Sequence, residues 1–332
     1  MTLPRALLAM EPRFKDDLFG PDELDRLVRL VDVDPGLVVS DFADAPELAS
    51  AEVLVTCWGC PPVDASVLRR APGLRAVVHV AGTVKSLITD ACWERGIAVS
   101  SGAATNALPV AEYTVAAILF AGKRVLGLRD LYRAERRALD WAARFPSLGN
   151  YRRTVGIIGA SHIGRRVLDL LRPFEFELLI NDPYLDGTAA AALGARPVGL
   201  DELLAASDVV SVHAPALPET RHLLDARRLG LLSDGATLVN TARGSLVDMG
   251  ALTKELVSGR IDAVLDVTEP EILPADSPLY DLPNVLLTPH IAGSVGGELR
   301  RLARSALDEL ERYGRGLPFA HPVHADTIGR SA

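Results

Sequence analysis

Charged and titratable residues sit just past several apolar, β-branched runs: Arg243 in LVNTARGSLVD, Asp266, Glu269 and Glu271 in DVTEPEILP, and His290 in LLTPHIAG. In an open α/β sheet the carboxyl ends of the strands form one edge, and ligands bind outside it. A guanidinium at such an edge can grip a carboxylate through two parallel hydrogen bonds and polarise a neighbouring ketone. An imidazole titrates near neutral pH and can pass a proton to an oxygen that is gaining charge. A carboxylate behind the imidazole would orient it and favour its protonated form. These residue types suit the reduction of a 2-keto acid by hydride.

A hydride needs a carrier, and VGIIGASHIGRRV supplies a place for one. An apolar strand ends at Gly159, a tight turn follows, and a helix opens near Gly164. Backbone N–H groups at that helix start, including those of Ser161, His162 and Ile163, favour a pyrophosphate by hydrogen bonding and by the helix dipole. The turn departs from G-x-G-x-x-G because Ser161 stands at the central glycine. Serine lets a phosphate approach but disfavours a positive φ at that position. The next strand, ELLIND, ends in Asp182, which is placed to accept hydrogen bonds from ribose hydroxyls and to repel a 2′-phosphate. NAD is therefore the expected cofactor, in preference to NADP. SVHAP ends a further strand with His213 and Pro215.

The elements that must position these groups alternate along the chain. In the first hundred residues RALLAM, GLVVSDF, EVLVTCW, LRAVVHVAG and IAVSS read as strands, separated by helical stretches. A long helix is expected from Pro109 to about Leu126, with the proline in its first turn. A second helix and a loop around FPSLGN follow in the arginine-rich stretch 129–153. From Thr154 six more strands alternate with helices that include IGRRVLDLLRPF, TRHLLDARRLGLL and MGALTKELVSG, and GGELRRLARSALDELERYGRG closes the chain as an amphipathic helix. Near-continuous apolar strands of this kind belong to parallel sheets covered on both faces.

The 332 residues exceed what one hydrophobic core serves, so two domains are expected. A net charge of −8 argues against a nucleic-acid binder. The longest apolar run, starting at Val110, contains Glu112 and is shorter than a membrane span, and no export signal is read at the N-terminus. A cytoplasmic protein without membrane contact is expected. The three cysteines do not form a disulfide framework, the CxxC at Cys57 and Cys60 reads as structural, and no metal site is expected.

Taken together, VAEYT, VGIIGASHIG, NDPY, HAPALPET, NTARGSLVD, DVTEPE and LPNVLLTPHIAG resemble the D-isomer specific 2-hydroxyacid dehydrogenase family over essentially the whole chain. The resemblance implies two doubly wound parallel-sheet α/β domains. Residues 103–293 would form a central Rossmann NAD-binding domain; residues 1–102 and 294–332 would form a discontinuous, flavodoxin-like substrate domain, with a cleft between. It implies a homodimer built through the central domain and an NAD-dependent enzyme that reduces small 2-keto acids to D-2-hydroxy acids. Arg243 is then the substrate-binding arginine, His290 the acid/base, and Glu271 its partner on the family's usual spacing, with Glu269 as the alternative. The backbone at Ala81 and Gly82, and Asn106, would bind substrate. The cofactor set comprises Gly159, Ser161, His162, Ile163, Gly164, Asp182, His213, Pro215, Thr220, Thr241, Ala242, Asp266, His290 and Gly293. Ile272 stands where the family often has a second proline, RIDAVLDV is one residue shorter than usual, and a regulatory extension found in longer members is not expected. The alternative is an NAD(H)-sensing corepressor-like protein of the same fold.

Overall fold

The structure, a computed structural model, describes residues 2–329. It divides into two units, one running to Asn106 and resuming at Ser294, the other from Ala107 to Gly293.

In the first unit β1 (Ala6–Ala9), β2 (Val38–Val39), β3 (Val53–Thr56), β4 (Ala76–His79) and β5 (Ala98–Ser101) form a parallel sheet in the order β2-β1-β3-β4-β5. A short Pro322–Val323 strand adds to β5 in antiparallel register, an edge that the sequence reading missed. Successive side chains of a strand point to opposite faces, and here both faces are covered. Leu7, Leu54 and Val77 pack into a core with Val67, Leu68 and Cys92, while Leu8, Val55 and Val78 pack into one with Leu27, Leu302 and Leu307. That double burial is why these strands read as unbroken apolar runs. The returning Leu299–Gly314 helix is tied to the Pro21–Leu30 helix, where Arg304 Nε donates to the buried Glu23 at 2.9 Å.

The second unit holds β6 (Thr154–Ile158), β7 (Glu177–Asn181), β8 (Arg196–Pro197), β9 (Val209–Val212), β10 (Thr237–Asn240), β11 (Asp262–Leu265) and β12 (Val285–Leu287). All pair in parallel in the order β8-β7-β6-β9-β10-β11-β12. The two-residue edge strand β8 was not foreseen. The order reverses between β6 and β9, so the turn after β6 and the segment after β9 lie side by side at the switch point where such sheets bind ligands.

Two helices differ from expectation. The long helix spans Ala103–Gly122, so it starts six residues early and Pro109 lies inside it rather than in its first turn. Its first residues belong to the first unit. Asn106 Oδ1 accepts from Ser294 N (2.9 Å) and Thr105 Oγ1 donates to Ser305 (2.9 Å), which moves the division of the units to Asn106. The helix is long and apolar enough to cross a membrane by length and composition alone, yet Ala111, Ala117 and Ile118 lie in the core with Val155 and Ile157. In place of the TRHLLDARRLGLL helix there is one turn, Ala226–Leu229, started by Asp225 accepting from Arg228 N (2.8 Å).

Candidate functional site

Parallel pairing brings the carboxyl ends of β6, β7, β9, β10, β11 and β12 to one edge of the second unit. Gly159, Asp182, His213, Thr241–Arg243, Asp266 and His290 all follow these strands.

At the β6 turn Gly159 takes φ +98°, and a Cβ there would meet the backbone of His213 and Ala214 at under 3 Å. Only glycine fits both demands. A Cβ on Gly164 would overlap the Gly159 carbonyl oxygen, which keeps the helix seated on the turn. Ser161 does not need the positive φ that the motif suggested. Its φ is −64°, and as N-cap of the His162–Leu171 helix its Oγ accepts from Gly164 N at 3.3 Å. Serine is among the favoured residues at such a cap. The N–H groups of His162 and Ile163, in the helix's first turn, have no intrahelical acceptor and are available to an anion. Asp182 spans the same turn, accepting from Ala160 N (2.6 Å) and Tyr184 N (2.8 Å).

His213 lies beneath this turn and is 1% exposed. Its Nε2 bonds Ser211 Oγ (2.9 Å), and burial pushes the imidazole down to about 3. The side chain is thus neutral and buried, and its Nδ1 has no hydrogen-bond partner among the described residues. Thr241 is likewise turned inward, its Oγ1 hydrogen-bonded to Thr114 Oγ1 (3.0 Å). Thr220 Oγ1 accepts from Leu217 N (2.8 Å) and donates to Pro215 O (2.7 Å), which fixes the loop after β9. Ala242 and Asp266 are buried, while Gly293 ends the unit.

Past β10, Asn240 shapes the arginine loop by accepting from Ala242 N (3.1 Å) and donating to Arg243 O (3.0 Å). Arg243 Nη1 donates to Ala242 O (2.6 Å), the guanidinium's one hydrogen bond among the described residues. Burial lowers its pKa from the ordinary value while Glu271 opposes the shift; it stays a cation with free donors.

Past β12, His290 adopts φ +56°, a left-handed conformation rare for a side chain with Cβ. Asp266, 1% exposed, holds it there. Its Oδ1 accepts from Thr288 Oγ1 (2.6 Å) and Ile291 N (2.8 Å), its Oδ2 from Ala292 N (2.8 Å), and its carbonyl from His290 N (2.9 Å). Thr288's proton goes to Asp266, so Tyr113 Oη donates to Thr288 Oγ1 (2.8 Å). Burial raises the Tyr113 pKa, which keeps that proton in place. This relay from the long helix escaped the sequence reading, although Tyr113 stands in the quoted VAEYT. Nδ1 of His290 donates to Glu271 Oε1 at 2.5 Å. Glu269, the alternative, turns the other way and takes a two-pronged bond from Arg221 (2.8 and 3.0 Å).

In the first unit, Val80–Gly82 follow β4. Gly102 N donates to Ala81 O (2.8 Å), and the N–H groups of Ala81 and Gly82 make no hydrogen bond among the described residues. Burial pushes the Cys57 and Cys60 thiols up to about 12, so both are poor nucleophiles. Among the described residues no three His, Cys, Asp or Glu side chains cluster to hold a metal.

A family model described as the NAD binding domain of D-isomer specific 2-hydroxyacid dehydrogenases matches residues 115–292. The chain is 31% identical to the D-3-phosphoglycerate dehydrogenase of Archaeoglobus fulgidus over 80% of this chain and 50% of that protein. It is 34% identical to the glyoxylate reductase of Korarchaeum cryptofilum over 77% of each. The chain spans about half the length of the D-3-phosphoglycerate dehydrogenases it matches. Among solved structures, the TT0316 protein of Thermus thermophilus is 32% identical with a TM-score of 0.74, covering 96% of this chain and 100% of that one. The D-lactate dehydrogenase of Aquifex aeolicus, solved with NAD and lactic acid, is 28% identical with a TM-score of 0.72, covering 94% and 96%. The chain belongs to the D-isomer specific 2-hydroxyacid dehydrogenase family, and its residues 115–292 are that family's NAD-binding domain.

Proposed function

We propose that this protein reduces small 2-keto acids to D-2-hydroxy acids with NADH. The observation that carries the reading is the 2.5 Å bond between His290 and Glu271, at a strand edge where Arg243 feels the charge of the same glutamate. With Nδ1–H given to Glu271, Nε2 is the nitrogen left to carry the transferable proton. Glu271 orients the imidazole, and Nε2 passes its proton to the carbonyl oxygen as that oxygen becomes a hydroxyl. Arg243 binds the substrate carboxylate through its unused N–H donors and draws electron density from the ketone. The residues at the β6 turn fit a dinucleotide: the free amides of His162 and Ile163 and the Ser161 hydroxyl would hold the pyrophosphate, and Asp182 the adenosine ribose. The bound nicotinamide would supply the hydride. In the first unit, the N–H groups of Ala81 and Gly82, unbonded among the described residues, are free to take a carboxylate.

The test is loss of NADH absorbance with glyoxylate, hydroxypyruvate, pyruvate and bulkier 2-keto acids. Turnover with at least one, lowered by about a hundredfold or more in His290→Ala, supports the reading. Tight NADH binding without turnover of any would replace it with the sensing reading. We also propose a homodimer. None of the residues of the Val125–Glu135 helix is buried, although it carries leucines and an exposed Tyr132 packed edge-on to Trp141 at 6.4 Å. Light scattering that gives a monomer mass would refute this.

A further inference from the structure

His290 and Glu271 are both half-exposed, so their short bond needs support from outside the pair. Glu271 rides on a loop after β11 that is pinned from three sides. Thr268 Oγ1 donates to the carbonyls of Pro270 (2.7 Å) and Glu271 (3.1 Å). Gly244, next to Arg243, lies so close to the Thr268 carbonyl that any Cβ would overlap it. The third side is Arg221, whose two Nη atoms hold both oxygens of Glu269 (2.8 and 3.0 Å), with His222 Nε2 at 3.8 Å from the same carboxylate. Arg221 ends the loop that Thr220 braces after β9, so its guanidinium joins the loops of two strands.

The Thr268 bonds act on backbone within the loop, and the Gly244 contact braces the Thr268 carbonyl from the loop after β10. The Arg221 bond, from the loop after β9, is the restraint that grips a side chain of the tip, at Glu269. Arg221 holds the Glu269 carboxyl below the usual carboxylate range, so the clasp stays charged at neutral pH. We propose that Arg221 is a positioning residue, whose forked bond to Glu269 fixes the 268–271 loop and thereby keeps Glu271 on His290. The proposal rests on the reductase reading of that pair.

The pair is exposed, and exposed pairs couple weakly, so the effect on rate is bounded at roughly fivefold. The experiment compares Arg221→Ala, Glu269→Gln, Glu271→Gln and the Arg221→Ala/Glu271→Gln double variant. Arg221→Ala and Glu269→Gln should each lower kcat about fivefold, with NADH affinity and keto-acid KM changed less than about twofold. The double variant should be no slower than Glu271→Gln alone, because the arginine acts through the glutamate. Arg221→Lys, which keeps the charge, should recover part of the loss. The imidazole Nδ1 proton, shifted far downfield in NMR by so short a bond and assigned by its absence in Glu271→Gln, should broaden or vanish in Arg221→Ala. Additive losses in the double variant, a loss confined to KM or NADH affinity, or a sharp unchanged proton signal in Arg221→Ala would each overturn the proposal. If the wild-type protein turns over no keto acid, the reductase reading fails, and the NMR comparison still decides whether Arg221 holds the pair.

Discussion

Asp266→Asn tests whether the buried carboxylate builds the histidine loop or binds the cofactor. The substitution keeps the shape and replaces one acceptor oxygen by an NH2 group. In the less costly orientation the amide nitrogen takes the Oδ2 position, facing the Ala292 N–H, while the oxygen keeps Thr288 and Ile291. One charge-assisted bond is lost, and the Ala292 N–H and the new NH2 face each other without an acceptor, a cost of about 3 kcal/mol. For a unit of this size that corresponds to a fall in Tm of roughly 6–12 °C. The loop that holds His290 at φ +56° has then lost its organising charge, so kcat should fall at least about tenfold with little change in NADH affinity. Thermal unfolding by circular dichroism, NADH fluorescence titration and steady-state kinetics read the three quantities. A Tm within about 2 °C of wild type would refute the loop reasoning. Weakened NADH binding at that unchanged Tm would return Asp266 to its expected role as a cofactor ligand.

Arg243→Ala should raise keto-acid KM at least about tenfold while NADH affinity stays within about twofold, since a lost carboxylate contact is a loss of binding; titration of both ligands checks the split. Asp182→Ala should relax discrimination against NADPH by removing the charge that repels a 2′-phosphate, and an unchanged ratio of NADH to NADPH affinity would count against the ribose assignment. Burial pushes His213 down to about 3 and His79, bonded to Thr56 (2.9 Å), down to about 4. Both folded values lie below the unfolded one near 6.5, so the unfolded chain takes up the protons first. Stability is therefore full above about pH 6.5 and falls as pH drops toward 4, His79 acting on the first unit and His213 on the second. Denaturant titrations across that range should show a shallower decline in His213→Asn than in the wild type.

The candidate site was legible because each demand of the proposed reaction corresponds to a distinctive residue type at a strand's carboxyl end: Arg243, Glu271, His290, and the turn around Gly159. Their supports were not legible, because the partners are far apart in sequence and chemically ordinary. Tyr113 reaches Thr288 across 175 positions, and Arg221 reaches Glu269 across 48. The Ala103–Gly122 helix was misread at its start because proline is an N-terminal signal, while the bonds of Thr105 and Asn106 that extend the helix backward are tertiary. The short edge strands Arg196–Pro197 and Pro322–Val323 carry no apolar alternation to detect.

Ser161 illustrates how a motif departure is resolved by geometry. A glycine at the central position of the turn is expected to supply an unusual φ. In the structure that burden falls wholly on Gly159, and residue 161 has an ordinary extended backbone at the head of a helix. A serine cap offsets part of what the lost glycine offered, since its hydroxyl oxygen takes the Gly164 amide and leaves its own proton for a phosphate oxygen. Ser161→Gly should therefore cost helix stability of a few tenths of a kcal/mol and leave NADH affinity unchanged or weaker. A marked gain in affinity on restoring the glycine would mean that the side chain obstructs the phosphate rather than serving it.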